Sequence, residues 1–178
     1  GSAPFEGQIQ LTGIDFPEGR EAPWDFEVSR TPELLRVNGG PQGSMSAQVE
    51  QDGSFRVSVA DPIPFQFDAE GFLDEGQIES NLTNILVDIE GFGGAVGGPT
   101  VRMTGGRVSG ALRVVGPVND PDFFGTLEAR GIRGAIDFIA EPLGPVDTFI
   151  VFQEKIAEIN RLVAPVGEAS GLTNTCTL

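Results

Sequence analysis

Gln51-Asp52-Gly53-Ser54-Phe55-Arg56-Val57-Ser58-Val59 is the stretch on which the fold turns. Phe55, Val57 and Val59 alternate with Arg56 and Ser58. In an extended chain successive side chains point to opposite faces, so this alternation places one face on apolar material and the other in water. Asp52-Gly53 is a strong hairpin signal, because a tight turn needs a residue that tolerates positive φ. The run before it, Gly43-Ser44-Met45-Ser46-Ala47-Gln48-Val49, alternates in the same way. Together the two runs predict an antiparallel hairpin with one oily face.

Working outward, the same unit returns: Gly, then apolar residues at every second position. It opens the chain as Gly7-Gln8-Ile9-Gln10-Leu11-Thr12-Gly13 and recurs as Gly110-Ala111-Leu112-Arg113-Val114-Val115-Gly116 and Gly125-Thr126-Leu127-Glu128-Ala129-Arg130-Gly131. Phe65-Gln66-Phe67-Asp68-Ala69 continues it after Pro62 and Pro64, which suit an edge or a strand start. Ala135, Ile136 and Phe138, then Phe149 to Phe152, supply further strands separated by Pro142 and Pro145. The expectation is an all-β chain built on a one-sided antiparallel sheet.

Two segments pull the other way. Ile78, Leu82, Ile85, Leu86 and Ile89 fall at helical spacing, which leaves a short amphipathic helix open after Glu75. Phe152, Ile156, Ile159 and Val163 share that spacing, although Thr148 to Phe152 is β-favouring and Gln153-Glu154-Lys155 suits a turn.

Composition narrows the function. The chain of 178 residues is long enough for a single domain, and its 26 acidic against 11 basic residues give a net charge of -15. Such a surface repels phosphate backbones and anionic headgroups, so nucleic acid is an unsuitable partner. There is no histidine and one cysteine, Cys176. A zinc or haem site built on those ligands is therefore nearly excluded, and no disulfide forms within the chain. No apolar run approaches the roughly 20 residues of a membrane-spanning helix. Gly1-Ser2 reads as a cloning remnant, and Thr175-Cys176-Thr177-Leu178 as an interior cut, so 1–178 is expected to be one piece of a longer repetitive protein.

An oily sheet face must be covered by a second sheet, by closure into a barrel, by a ligand or by a partner. A filled sandwich or barrel core is one reading of these residues. The near absence of aromatic residues with polar handles, no Tyr and one Trp against 13 Phe, suits a uniformly oily surface instead.

Val108-Ser109-Gly110-Ala111-Leu112-Arg113-Val114-Val115-Gly116-Pro117-Val118-Asn119-Asp120-Pro121-Asp122-Phe123-Phe124-Gly125-Thr126-Leu127 resembles a recurrent stretch of the TamB family, in which two Gly-x-Leu strands flank an Asn/Asp-Pro turn. Asp147 to Gly171, with Phe149-Ile150-Val151-Phe152 and Asn160-Arg161-Leu162-Val163-Ala164-Pro165-Val166-Gly167, looks like that family's next repeat. The resemblance runs over residues 100 to 171. It implies an elongated, curved antiparallel sheet folded into a taco-like, U-shaped groove with an apolar interior. It also implies a periplasmic piece of an AsmA-like bridge protein anchored in the inner membrane, which conducts phospholipid acyl chains to the outer membrane. A scaffold role in outer-membrane protein assembly, with a TamA- or BamA-type partner reached through the parent protein, is the alternative that it implies.

On that reading the groove wall is Phe55, Val57, Val59, Phe65, Phe67, Leu112, Val114, Leu127, Ile136, Phe138, Phe149 and Val151. No enzyme, metal or cofactor is expected. Asp120 and Asp122 flank Pro121 and read as turn formers, too few for the six to eight oxygens of calcium. Glu70, Asp74, Glu75 and Glu79 read as a solvated acidic face and not as a glycosidase acid pair. Trp24 reads as an anchor at a strand start, and Cys176 as an idle thiol. Open sheet edges predict self-association of the isolated piece.

Overall fold

The computed structural model describes residues 4–12, 24–92, 101–136 and 143–163. They form one open antiparallel sheet of eleven strands in which spatial order equals chain order. The strands are β1 (Phe5–Leu11), β2 (Trp24–Arg30), β3 (Leu34–Gly39), β4 (Met45–Glu50), β5 (Ser54–Val59) and β6 (Phe65–Asp74). They continue with β7 (Gln77–Asp88), β8 (Val101–Pro117), β9 (Asp122–Ile136), β10 (Leu143–Glu154) and β11 (Ile156–Val163). Among the described residues the only helical pieces are two 3-10 turns, Pro41–Gly43 and Glu90–Phe92. The alternating apolar residues of all five copies of the glycine-led unit lie on strands, namely β1, β4, β5, β8 and β9.

The decisive hairpin forms as expected. β4 and β5 pair Val49 with Phe55, Ala47 with Val57 and Met45 with Val59. Gly53 takes φ +91, and the Asp52 carboxylate accepts hydrogen bonds from the Ser54 backbone amide (2.9 Å) and hydroxyl (2.7 Å). These bonds hold the Asp52 carboxyl below its ordinary value, the backbone bond contributing most.

Both helical readings give way to strands. β7 carries a bulge, with Leu82 opposite Leu112 and Ile85 opposite Gly110, so two residues stand where the partner has one. Asn84 occupies it at φ 53. The extra residue shifts the alternation by one. Ile78 and Leu82 before it, and Ile85 and Val87 after it, therefore land on the same face. The spacing of three and four that imitates a helix is a strand interrupted by a bulge. In the second case Gln153-Glu154-Lys155 turns the chain and Ile156 onward forms the edge strand β11. Pro62 and Pro64 precede β6, an interior strand, and so mark a strand start. Pro145 does not separate strands: it lies inside β10 where the register with β9 slips between Leu143 and Val146.

No second layer covers the sheet among the described residues, since every strand packs chiefly on its neighbours in sequence. The sheet nevertheless curls. Trp24 of β2 (7% exposed) packs with Val59 of β5 (4%) and with Ile63 (2%), and Phe26, Met45, Val57, Phe65 and Phe67 gather round them. In a flat sheet β2 and β5 would stand about 14 Å apart, so the contact needs curvature toward the apolar face. The chain exposes 11921 Å², against about 8,300 Å² for a compact monomer of its 18.8 kDa. Eleven strands set at ~4.8 Å give the sheet a contour of about 48 Å from β1 to β11.

Candidate functional site: the apolar face

Residues paired directly across an antiparallel ladder share a face, so the register assigns every paired residue of the regular ladders to one side. One face carries Ile9, Phe26, Val37, Ala47, Val57, Ala69, Leu82, Leu112, Leu127 and Ile150, continuous from β1 to β10. The opposite face carries Arg36, Gln48, Arg56, Glu70, Asn81 and Arg113 in one cross-strand row.

Polar intrusions on the apolar face are few and are mostly satisfied. The Ser80 hydroxyl, 2% exposed, donates to the Glu70 carbonyl at 3.1 Å. The Thr148 hydroxyl donates to the Arg161 carbonyl at 2.8 Å. Both bonds remove the cost of a buried hydroxyl without placing a charge on the face. Arg30 and Glu154 share this face only at strand ends. Glycines on it allow close approach: a Cβ on Gly71 would stand 2.2 Å from the Glu79 carbonyl oxygen and 2.9 Å from the Phe55 ring. Phe55 lies directly across from Gly71 and covers it.

The expected wall residues divide. Phe55, Val57, Val59, Phe65, Phe67, Leu112, Val114 and Leu127 all lie on the apolar face, where Val59 and Val114 are buried and the other six half-buried. Ile136 ends β9, paired with Val101. Phe138 lies outside the described residues. Phe149 and Val151 stand on the polar face, Phe149 between Glu128 and Arg161 and Val151 between Thr126 and Glu158. Their neighbours Ile150 and Phe152 take the inward positions, opposite Leu127 and Gly125. Four consecutive apolar residues carry no alternation, so only the pairing of Thr148 with Ala129 sets which of them turn inward. Sequence reasoning also passed over Phe26, Val28 and Val37, although Trp24-Asp25-Phe26-Glu27-Val28 displays the same alternation.

Trp24 begins β2 in the buried cluster, as its reading as a strand-start anchor requires. Asp120 and Asp122 flank the β8–β9 turn, and Lys155 binds the Asp120 carboxylate, tying that turn to the one between β10 and β11. This contact raises Lys155 above its ordinary value. Glu70 and Glu79 point to the polar face, and Glu79 pairs with Arg113 at 2.6 Å. No three of the described His, Cys, Asp and Glu residues come together as a metal-binding group. No helix among the described residues is long and apolar enough to cross a membrane.

Comparison with protein-family models, curated proteins and solved structures finds no match.

Proposed function

We propose that the chain is a β-groove segment of a TamB-like bridge between inner and outer membrane, and that it binds and conducts phospholipid acyl chains along its apolar face in the periplasm. The observation that carries this reading is the continuity of that face: a surface about 48 Å along its contour, uncharged in the regular ladders except for Arg30 and Glu154 at strand ends, with no protein layer over it among the described residues. Burying acyl chains there is favourable by roughly 25 cal/mol for each Å² of apolar surface removed from water, and it is non-directional. A surface that holds chains without fixing them at one point lets them slide, which transport needs. The acidic polar face keeps such an open sheet in solution.

A second reading rests on the edges. Among the described residues β1 and β11 each pair on one side only, so a strand of a client protein could add to either, as in a scaffold for outer-membrane protein assembly. That reading uses the backbone of two strands and leaves the apolar face idle.

Val49→Asp separates the two. Val49 lies on the apolar face, is exposed, and is far from the buried cluster, so the fold tolerates the change. An unpaired carboxylate in contact with acyl chains is costly. The expected outcome is a loss of affinity for a fluorescent fatty-acyl probe of about tenfold or more, with strand content by circular dichroism unchanged. Unaltered probe binding in a folded variant would remove the groove reading.

A further inference from the structure

The two ends of the strands differ. At one end all five connections are tight: β2–β3, β4–β5, β6–β7, β8–β9 and β10–β11 are joined by residues 31–33, 51–53, 75–76, 118–121 and 155. At the other end the connections are residues 12–23, 40–44, 60–64, 89–100 and 137–142. Burial follows the same division. Trp24, Val59, Ile63 and Ile89 are buried at the long-connection end. Leu35, Val49, Leu73 and Phe123, inward residues next to the tight turns, are exposed, while Phe55 and Ile78 beside them are half-buried and Val114 is buried. Apart from Leu11 on the edge strand and Val114, the described inward residues are thus more buried at the long-connection lip and more open at the tight-turn lip.

The open lip is acidic. Each tight turn or its flank carries a carboxylate on the rim: Glu33, Asp52, Asp74 with Glu75, Asp120, and Glu154. Against them stand Arg30 and Lys155, and Lys155 is engaged by Asp120. An amphiphile whose chains lie on the face has its headgroup at the lip that is open, within reach of these carboxylates. We propose that the groove selects lipids by headgroup charge, taking zwitterionic lipids with an exposed ammonium group and disfavouring anionic ones. Opposite charge at a few ångströms of a partly desolvated rim attracts the ammonium, and the same carboxylates repel a net negative headgroup. The inference rests on the acyl-chain reading above and adds to it the class of lipid.

The test compares two lipids with identical, tail-labelled acyl chains, one with a phosphatidylethanolamine and one with a phosphatidylglycerol headgroup. The full chain is titrated with each in 20 mM and in 500 mM NaCl. The expected result is retention of the ethanolamine lipid about five- to tenfold better at low salt, with the gap shrinking at high salt as screening shortens the reach of the rim. In Glu33→Gln/Asp74→Asn/Glu75→Gln the gap narrows at low salt, while strand content by circular dichroism stays as in the parent. Equal retention of both lipids at low salt would overturn the headgroup proposal and leave the acyl-chain reading standing. Retention of neither would overturn both.

Discussion

Asp68 sits on the polar face within a small network, accepting 2.7 Å hydrogen bonds from the Ser58 hydroxyl and the Asn84 amide. Both donors favour its charged form, Asn84 most, so its carboxyl is held below the ordinary aspartate value of 3.8. A carboxyl lowered on folding contributes stability that is full above its unfolded value and is lost as pH falls through the folded one. Thermal stability of the chain should therefore fall as pH drops below about 4, and Asp68→Asn should flatten that part of the profile by lowering stability at pH 7 to 9 while changing little in acid. An unchanged acid limb in Asp68→Asn would mean that the network has no energetic role. The same bond does a second job at this scale. It fixes the side chain of Asn84, whose backbone adopts the left-handed conformation that Asn tolerates better than other non-glycine residues.

At the scale of an element, the residue count at the Asn84 bulge decides which way half of β7 faces. Inserting one further residue after Asn84 would turn Ile85 and Val87 toward the polar face, away from Gly110 and Val108, whereas deleting Asn84 would leave both facing inward. The expected result of the insertion is loss of cooperative unfolding or aggregation, whereas Asn84→Gly, which keeps the residue count, should remain folded at a cost within about 1 kcal/mol. An insertion variant as stable as the parent would show that the facing of Ile85 and Val87 does not matter to the fold. This position also shows how far the sequence could be read. Where alternation is regular, as in Phe55-Arg56-Val57-Ser58-Val59, strand, face and partner turn follow from side-chain geometry alone. At Leu82–Ile85 one inserted residue changes the apparent period from two to between three and four, and the pattern imitates a helix. At Phe149–Phe152 every residue is apolar, so the face depends on pairing with β9, a relation between segments that no local pattern contains. For the candidate site, eight of twelve expected wall residues share the face, and the two that turn away belong to that uniformly apolar run.

At the scale of the whole molecule, the fold is a meander in which each strand needs only its two neighbours. Such a sheet can lengthen by adding hairpins, and it leaves one apolar face with no layer across it among the described residues. Curvature around Trp24, Val59 and Ile63 buries part of that face without closing the sheet. On the proposed function, acyl chains cover the remainder. Photo-crosslinking in cells tests it most directly, with the probe placed at Val57 or Leu112 on the apolar face and at Arg56 or Arg113 on the polar face, followed by mass spectrometry of the adducts. Phospholipid adducts are expected from Val57 and Leu112 and none from Arg56 or Arg113. Adducts from Val57 and Leu112 to polypeptide alone, whether from this chain or another, would contradict it.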